Sequence, residues 1–352
     1  MAGKTVRVGI VGAGGNTRLR HIPGFRAIEG VELVGVVNST PESTAAAAEE
    51  FDISRTYENW QALVDDAELD AIMIGTWPNL HCDITVAALA AGKHVLCEAR
   101  MARNATEAHR MLAASQVQPD LVAQIVPSPL GLPQHEFVRQ LIDDGFLGEF
   151  RELLVVGIDD GFADTSKPLH WRQDASISGM NILTMGILYE SARRWSPAPV
   201  RVFAQTATFE PERKAVTGSD NVAVTVPDSV QILTQLEGGG RGVYRFGGVH
   251  RHGPGRRIEL YGSDGTIKLL LQDSERLLIG KAGGPLTEAD IPAEQRGGWR
   301  VEEEFIAAIR GDETIQFTDF TTGVGYMEFT EAVTRSAQTG TAIDLPLTNI
   351  PD

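Results

Sequence analysis

The sequence predicts an α/β protein: a doubly wound parallel sheet at the N-terminal end, then an α+β domain built on a mostly antiparallel sheet. Three observations lead there. Short apolar, β-branched runs alternate with helix-length segments up to about residue 125. A glycine-rich turn, Gly12-Ala13-Gly14-Gly15, follows the first of those runs directly. Beyond a stretch rich in proline and glycine, 126–133 (VPSPLGLP), strand-like runs follow one another with short turns between them.

Segments 6–11, 31–37, 71–74, 94–96 and 121–125 are mostly apolar, with single polar residues and no regular polar alternation, as strands covered on both faces must be. Between them, 19–28, 41–51, 59–64, 80–91 and 105–115 suit helices, with Gly92 as a C-cap after the alanine-rich one. Segment 126–133 marks the junction, giving domains 1–127 and 128–352. The second half predicts helices over 134–143, 182–195, 301–309 and 325–337. Its strands fall over 150–158, 200–208, 229–236, 242–246, 257–261 and 267–271. Segment 209–227 is polar and interrupted by proline, and reads as a loop.

Bulk properties narrow the function. A chain of 352 residues fits two cores, and 42% hydrophobic with 22% charged residues is ordinary for a globular protein. The formal charge of -16 repels phosphate backbones and anionic bilayers, so neither nucleic acid nor membrane is an expected partner. Two cysteines, Cys82 and Cys97, exclude a disulfide framework and read as reduced, buried thiols. The start MAGKTVRVGIVGAG is a charged lead into a strand, without the apolar core of a signal peptide. No run approaches the roughly 18 apolar residues that span a bilayer, and a cytoplasmic protein is expected. His250 and His252 have no carboxylate or thiolate at ligand spacing, so no metal is expected.

The turn after the first strand carries the chemistry. Gly12 permits a tight turn and Gly14 lets a pyrophosphate approach the backbone at a helix's positive end, the device of Rossmann dinucleotide-binding domains. Asn16 belongs to the same loop. Thr17 takes the place of the third glycine of G-x-G-x-x-G and can offer a hydroxyl to phosphate. At the end of the second strand an acid would hold the ribose hydroxyls of NAD. Here stand Asn38, Ser39 and Thr40, which cannot repel a 2′-phosphate, so the choice between NAD and NADP leans slightly to NADP.

The stretch TWPNLHCDITVAALAAGKHVLCEAR resembles the glucose–fructose oxidoreductase / inositol dehydrogenase / MocA family, in its Thr-Pro-Asn-x-x-His and Ala-Gly-Lys-His-Val-x-x-Glu-Lys-Pro motifs. Thr76, Pro78, Asn79, His81, Gly92, Lys93, His94, Val95 and Glu98 match, with Trp77 inserted into the first motif. The resemblance continues in HWRQD (170–174), IELYGSDGTIKL (258–269), 305–323 and 336–347. It implies an NAD(P)-dependent oxidoreductase acting on sugars, cyclitols or related hydroxylated compounds. It also implies a large open sheet in the second domain, through which such proteins form homodimers or homotetramers. Cofactor contacts then extend to Thr76, Trp77, Pro78, His81 and Glu98, and Trp171 and Arg172 fall near the substrate.

Two departures matter. Glu98-Ala99-Arg100 replaces Glu-Lys-Pro, and Arg100 supplies positive charge but is too basic to shuttle protons. On the helix that usually carries Asp and His, Thr184 and Leu188 stand at those positions. Tyr189 and Glu190 beside the vacated site, and His81, are the candidate bases; Asn181 and Thr184 are candidate substrate contacts. Three readings result: a dehydrogenase or reductase with an altered proton relay, a nicotinamide-dependent lyase, hydrolase or epimerase without net redox, and a silent dinucleotide-binding regulator.

Overall fold

A computed structural model describes residues 5–350 except Ser219 and Asp273. The charged lead 1–4 therefore lies outside the described residues, as does Ser219 of the expected loop 209–227. The chain divides into two units, Met1–Pro127 with Arg300–Met327, and Ser128–Trp299 with Glu328–Asp352.

In the first unit, β1 (Val6–Val11), β2 (Val31–Val37), β3 (Arg55–Thr56), β4 (Ala71–Ile74), β5 (His94–Cys97) and β6 (Ala123–Ile125) form one sheet of order β3-β2-β1-β4-β5-β6. Every pairing is parallel. The chain winds outward from β1 through β3, then returns to β4, so a topological switch point lies between β1 and β4. Val8, Ile10, Ile72, Ile74, Val95 and Leu96 are fully buried, as strands covered on both faces require.

The crossover helices begin where side chains can satisfy free amides. Thr40 makes a reciprocal cap with Ser43 at α2 (Pro41–Glu50), Asn59 caps α3 (Trp60–Val64), and Asn104 caps α5 (Ala105–Val117). Pro78, at the first position of α4 (Pro78–Ala90), needs no amide partner. The first crossover differs from the expected 19–28. It starts with a π-helical turn, Thr17–His21, and continues as α1 (Ile22–Ala27).

The first stretch of the first unit ends at Pro127, and the chain returns to that unit before its last segment joins the second. Residues Arg300–Met327 belong to the first unit. The reason is packing. On α9 (Val301–Arg310), Phe305 is fully buried and meets Phe25 edge-on at 6.3 Å. Gly24 leaves room for Glu302: a Cβ there would come within 2.7 Å of its carboxyl carbon. Glu304 accepts from Gln124 Nε2 at 3.0 Å and from the amides of Gln316 and Phe317, and Ile125 donates its amide to the Thr318 carbonyl.

The second unit holds α6 (His135–Asp143), α7 (Ala175–Ser178), α8 (Met185–Arg193) and a nine-stranded sheet. Its strands are β7 (Phe150–Ile158), β8 (Pro199–Ala207), β11 (Ser229–Leu236), β12 (Arg241–Gly247), β13 (Gly255–Gly262), β14 (Gly265–Leu271), β15 (Glu275–Lys281), β16 (Thr287–Glu288) and β17 (Ile343–Asp344). The order is β16-β15-β14-β13-β7-β12-β11-β8-β17, antiparallel except for the pairing of β7 with β12. Alternating burial along β11 shows one covered face and one open face. The expected loop 209–227 instead contains a hairpin, β9 (Glu212–Lys214) with β10 (Asn221–Ala223). It is anchored by buried Arg213, which donates to the carbonyls of Asp164 and Phe162. The last helix, α10 (Phe320–Thr339), begins in the first unit and ends in the second. Among the described residues no helix is long and apolar enough to cross a membrane.

Truncating Phe305→Ala removes a fully buried ring from the first unit and is expected to cost about 3–5 kcal/mol there. Hydrogen exchange should show protection lost from β1 and β4 together with α9. Loss confined to 300–310 would contradict the assignment of α9 to that core.

Candidate functional site

The site in the first unit is built at the carboxyl ends of β1, β2, β4 and β5. Gly12 has a φ of +89°, and a Cβ there would come within 2.9 Å of the Gly75 carbonyl carbon and the Thr76 amide. Gly75 answers it: a Cβ on Gly75 would collide with the Gly12 carbonyl and the Thr17 hydroxyl. The two turns at the switch point therefore touch backbone to backbone. Gly14, Gly15 and Asn16 are exposed at the start of the first crossover helix, and a Cβ on Gly15 would meet nothing within 4 Å. The amides of that first turn have no intrahelical partner and carry the helix's positive end. This cradle fits a pyrophosphate.

Several residues expected to touch a cofactor are occupied holding the cradle instead. Thr17 is 1% exposed and donates its hydroxyl to the Gly12 carbonyl at 3.1 Å, so it closes the turn and does not face phosphate. Asn38 accepts from the Ala13 amide at 2.7 Å and donates to the Ser43 carbonyl at 2.9 Å. Thr40 is committed to its capping box, while Ser39 remains exposed. Arg18 pairs with Glu50 and donates to the Ala13 carbonyl at 2.8 Å.

Beneath the loop lies a network that sequence reasoning only half found. Glu98, at the end of β5, accepts from Asn16 Nδ2 at 2.5 Å and from the Ala99 amide at 3.0 Å. Its Oε1 also lies 3.0 Å from Nε2 of His21, whose Nδ1 is 2.5 Å from Glu302. His21 is fully buried, Glu302 is 1% exposed, and the Glu98 side chain keeps 14% exposure. Burial alone would lower the His21 pKa, but hydrogen bonds and charge from Glu302 and Glu98 overcome it and raise the pKa to about 9. Burial likewise works against the Glu98 carboxylate, and His21 and Asn16 together hold its pKa below the ordinary value. His21 and Glu302 were not among the expected site residues. The signal available was acids, Glu302 and Glu304, interleaved with Val301, Phe305 and Ile306 at the buried positions of a helix over 301–309.

Around the third loop, His81 is fully buried, with Nδ1 2.9 Å from the Arg100 carbonyl and Nε2 3.0 Å from the Thr76 carbonyl. Burial pushes its pKa down, and the ring ties the start of α4 to the chain beyond β5. That is a position for holding loops, not for reaching a ligand's proton. Thr76 is half-buried, Trp77 is 51% exposed at the N-cap of α4, Pro78 is buried behind it, and Arg100 is 9% exposed.

In the second unit, the Arg172 guanidinium lies 4.1 Å from the Trp171 ring centre, and His170 Nδ1 accepts from the Arg172 amide. Asn181 is buried and donates to the Ser178 carbonyl at 2.7 Å. Thr184, at the N-cap of α8, and Leu188 both face β7: a Cβ on Gly157 would come 2.6 Å from the Thr184 hydroxyl and 2.7 Å from Leu188. Thr184 therefore packs on the sheet. Tyr189 is 3% exposed and its ring stacks on Phe329 at 3.7 Å, nearly parallel. Burial raises its phenol well above the ordinary value, which suits packing and not proton acceptance at neutral pH. Glu190 is 4% exposed, pairs with Arg194 at 3.0 Å, and accepts the Ser128 amide at 2.8 Å. Arg194 in turn donates to the carbonyls of Ser128 and Leu130, so the pair clasps the first residues of this unit. Among the described residues no cluster of metal-ligating side chains occurs.

The fold and the glycine cradle define a two-unit α/β protein whose first unit is a dinucleotide-binding Rossmann domain. Residues 6–124 match the model of an oxidoreductase family with an NAD-binding Rossmann fold, and residues 135–268 match the GFO/IDH/MocA C-terminal domain. The chain belongs to the Gfo/Idh/MocA oxidoreductase family. It is 25% identical over 262 residues to levoglucosan dehydrogenase of Pseudarthrobacter phenanthrenivorans, covering 69% of this chain and 66% of that protein. It is 24% identical over 341 residues to dTDP-3,4-didehydro-2,6-dideoxy-alpha-D-glucose 3-reductase of Saccharopolyspora spinosa, covering 92% and 97%. A solved levoglucosan dehydrogenase in complex with NADH and L-sorbose shares the fold with a TM-score of 0.87 at 22% identity, covering 97% and 99% of the two chains.

Two outcomes follow from the buried ion pairs. Because the folded-state pKa of His21 is raised from 6.5 to about 9, its stabilisation is complete below pH 6.5 and lost as pH rises through about 9. Linkage gives it a size on the order of 3 kcal/mol. Urea midpoints between pH 7 and 10 should fall in the wild type and lose that component in His21→Gln; parallel slopes would contradict it. Glu190→Gln should cost roughly 3–5 kcal/mol by leaving a buried guanidinium without its carboxylate. Unchanged stability, with a shifted pH–rate profile, would instead make Glu190 a base.

Proposed function

We propose that the protein is an NAD(P)-dependent oxidoreductase that transfers hydride to or from a sugar, cyclitol or related small hydroxylated compound. The single observation that carries this reading is the cradle of Gly12, Gly14 and Gly15 at a helix's positive end, placed at the switch point of a parallel sheet. Levoglucosan dehydrogenase and the dTDP-sugar reductase among its relatives support the substrate class. Gly12, Gly14 and Asn16 hold the pyrophosphate end, and Ser39 lies nearest the choice between NAD and NADP. The end of β2 carries Asn38 where an acid would exclude a 2′-phosphate, which favours NADP slightly. Bound dinucleotide supplies the hydride carrier. In this reading Thr76, Trp77 and Glu98 are the first unit's contacts for the nicotinamide half, and Trp171 and Arg172 are the second unit's contacts for the polyhydroxylated substrate.

The proton relay differs from the family's pattern. Ala99 has no proton to exchange, Leu188 faces the sheet, and Tyr189, Glu190 and His81 are engaged in packing or loop-holding. The same occupancy of α8 favours a second reading, a dinucleotide-binding protein without turnover. A panel of sugars, cyclitols and keto-sugars, followed by nicotinamide absorbance and by mass analysis of the products, separates the two: binding with neither an absorbance change nor a product on any of them selects the second. Calorimetry should show NAD and NADP bound with affinities within about tenfold of each other. Gly14→Val, whose Cβ meets only the Gly75 carbonyl at 3.4 Å, should keep the fold and weaken both roughly a hundredfold. No heat with either dinucleotide would end the oxidoreductase reading.

A further inference from the structure

The chain Asn16–Glu98–His21–Glu302, which runs from an exposed asparagine to two buried partners, is more than an anchor for a helix. We propose that His21, held between Glu98 and Glu302, is a positioning residue that keeps the Glu98 carboxylate ionised and oriented toward a hydroxyl or amide donor of the bound dinucleotide; this rests on the dinucleotide-binding reading above.

Geometry carries the inference. Glu98 stands at the carboxyl end of β5, beside the switch point where doubly wound sheets bind ligands. Its Oε1 faces both Asn16 Nδ2 and His21 Nε2, while Oε2 accepts the Ala99 amide and has acceptor capacity left. The side chain is buried except for 14% of its surface. A structural ion pair between β5 and the first crossover helix would be complete with His21 and Glu98 alone. Glu302 adds a third charge from α9, on the far side of the imidazole, 2.5 Å from Nδ1.

That third charge has a chemical consequence. A neutral imidazole donates through one nitrogen only, and with Nδ1–H given to Glu302 it would turn a lone pair toward Glu98. The doubly bonded cation donates to both carboxylates. Glu302 therefore secures the protonated ring, and the ring secures Glu98 as an acceptor. Facing the imidazole are Glu98 at the end of β5, Glu302 from α9 and Asn16 at the start of its own helix. Hydrogen bonds to an ionised acceptor are stronger than neutral ones, so the arrangement raises affinity for a ligand that brings a donor to Glu98.

The test uses the whole protein, with NAD and NADP as probes. The His21 imidazole, followed by NMR, should titrate near pH 9 in the wild type and at lower pH in Glu302→Gln. Dinucleotide affinity by calorimetry should be level from pH 7 to 8 and fall on the order of tenfold as His21 loses its proton. His21→Gln should bind on the order of tenfold more weakly at pH 7.5 and lose the alkaline fall. Glu302→Gln moves the fall to lower pH and keeps the proposal testable if the His21 variant does not fold. Affinity independent of pH, and equal in the wild type and both variants, would overturn the proposal while leaving the dinucleotide reading intact. No binding by the wild type at any pH would overturn both.

Discussion

The first unit depends on one close approach, the backbone contact between Gly12 and Gly75 where β1 and β4 part. A side chain on either would force the turns apart, and Thr17 could no longer reach the Gly12 carbonyl. With the turns in contact, the first crossover starts immediately and its π-wound section brings Thr17 and His21 to the same buried side. The exposed amides above and the charged network below are two faces of that constraint. The proposed phosphate contacts are thus backbone amides rather than cationic side chains, in keeping with a chain whose formal charge is -16.

Most of this architecture is legible in the sequence, because strands buried on both faces write themselves as continuous apolar runs. Val6–Val11, Val31–Val37 and Ala71–Ile74 coincide with their expected limits. The exceptions have definite causes. β3 is two residues long, too short for any period to register, and β15 and β16 lie at the sheet's edge, where β15 is only partly covered. The hairpin β9–β10 hides in a polar segment because its anchor is a buried arginine bonded to carbonyls, which no hydrophobic pattern announces.

The site was legible where it is made of backbone and illegible where it is made of long-range side-chain pairing. Gly12 and Gly14 stand in the positions their spacing implies. Asn38, Thr17 and Glu190 are polar residues at suggestive positions that turn out to bond the protein itself. Such residues cannot be told from ligand contacts until the competing amides and carbonyls are placed. His21 and Glu302 are 281 residues apart, so no local window could join them. Burying three ionisable groups together is costly unless each hydrogen bond is made, and here each carboxylate and both ring nitrogens have partners.

The return of Arg300–Met327 to the first unit bears on how the protein is made. A ribosome releases the nucleotide-binding strands early, yet the ring of Phe305 and the carboxylate of Glu302 emerge only after every strand of the mostly antiparallel sheet except β17. The nascent first unit must wait with an apolar flank around Phe25 uncovered and His21 lacking one of its two acid neighbours. Its completion therefore waits for Arg300–Met327, and the second unit is complete only after that, when Glu328–Asp352 adds β17 to its sheet.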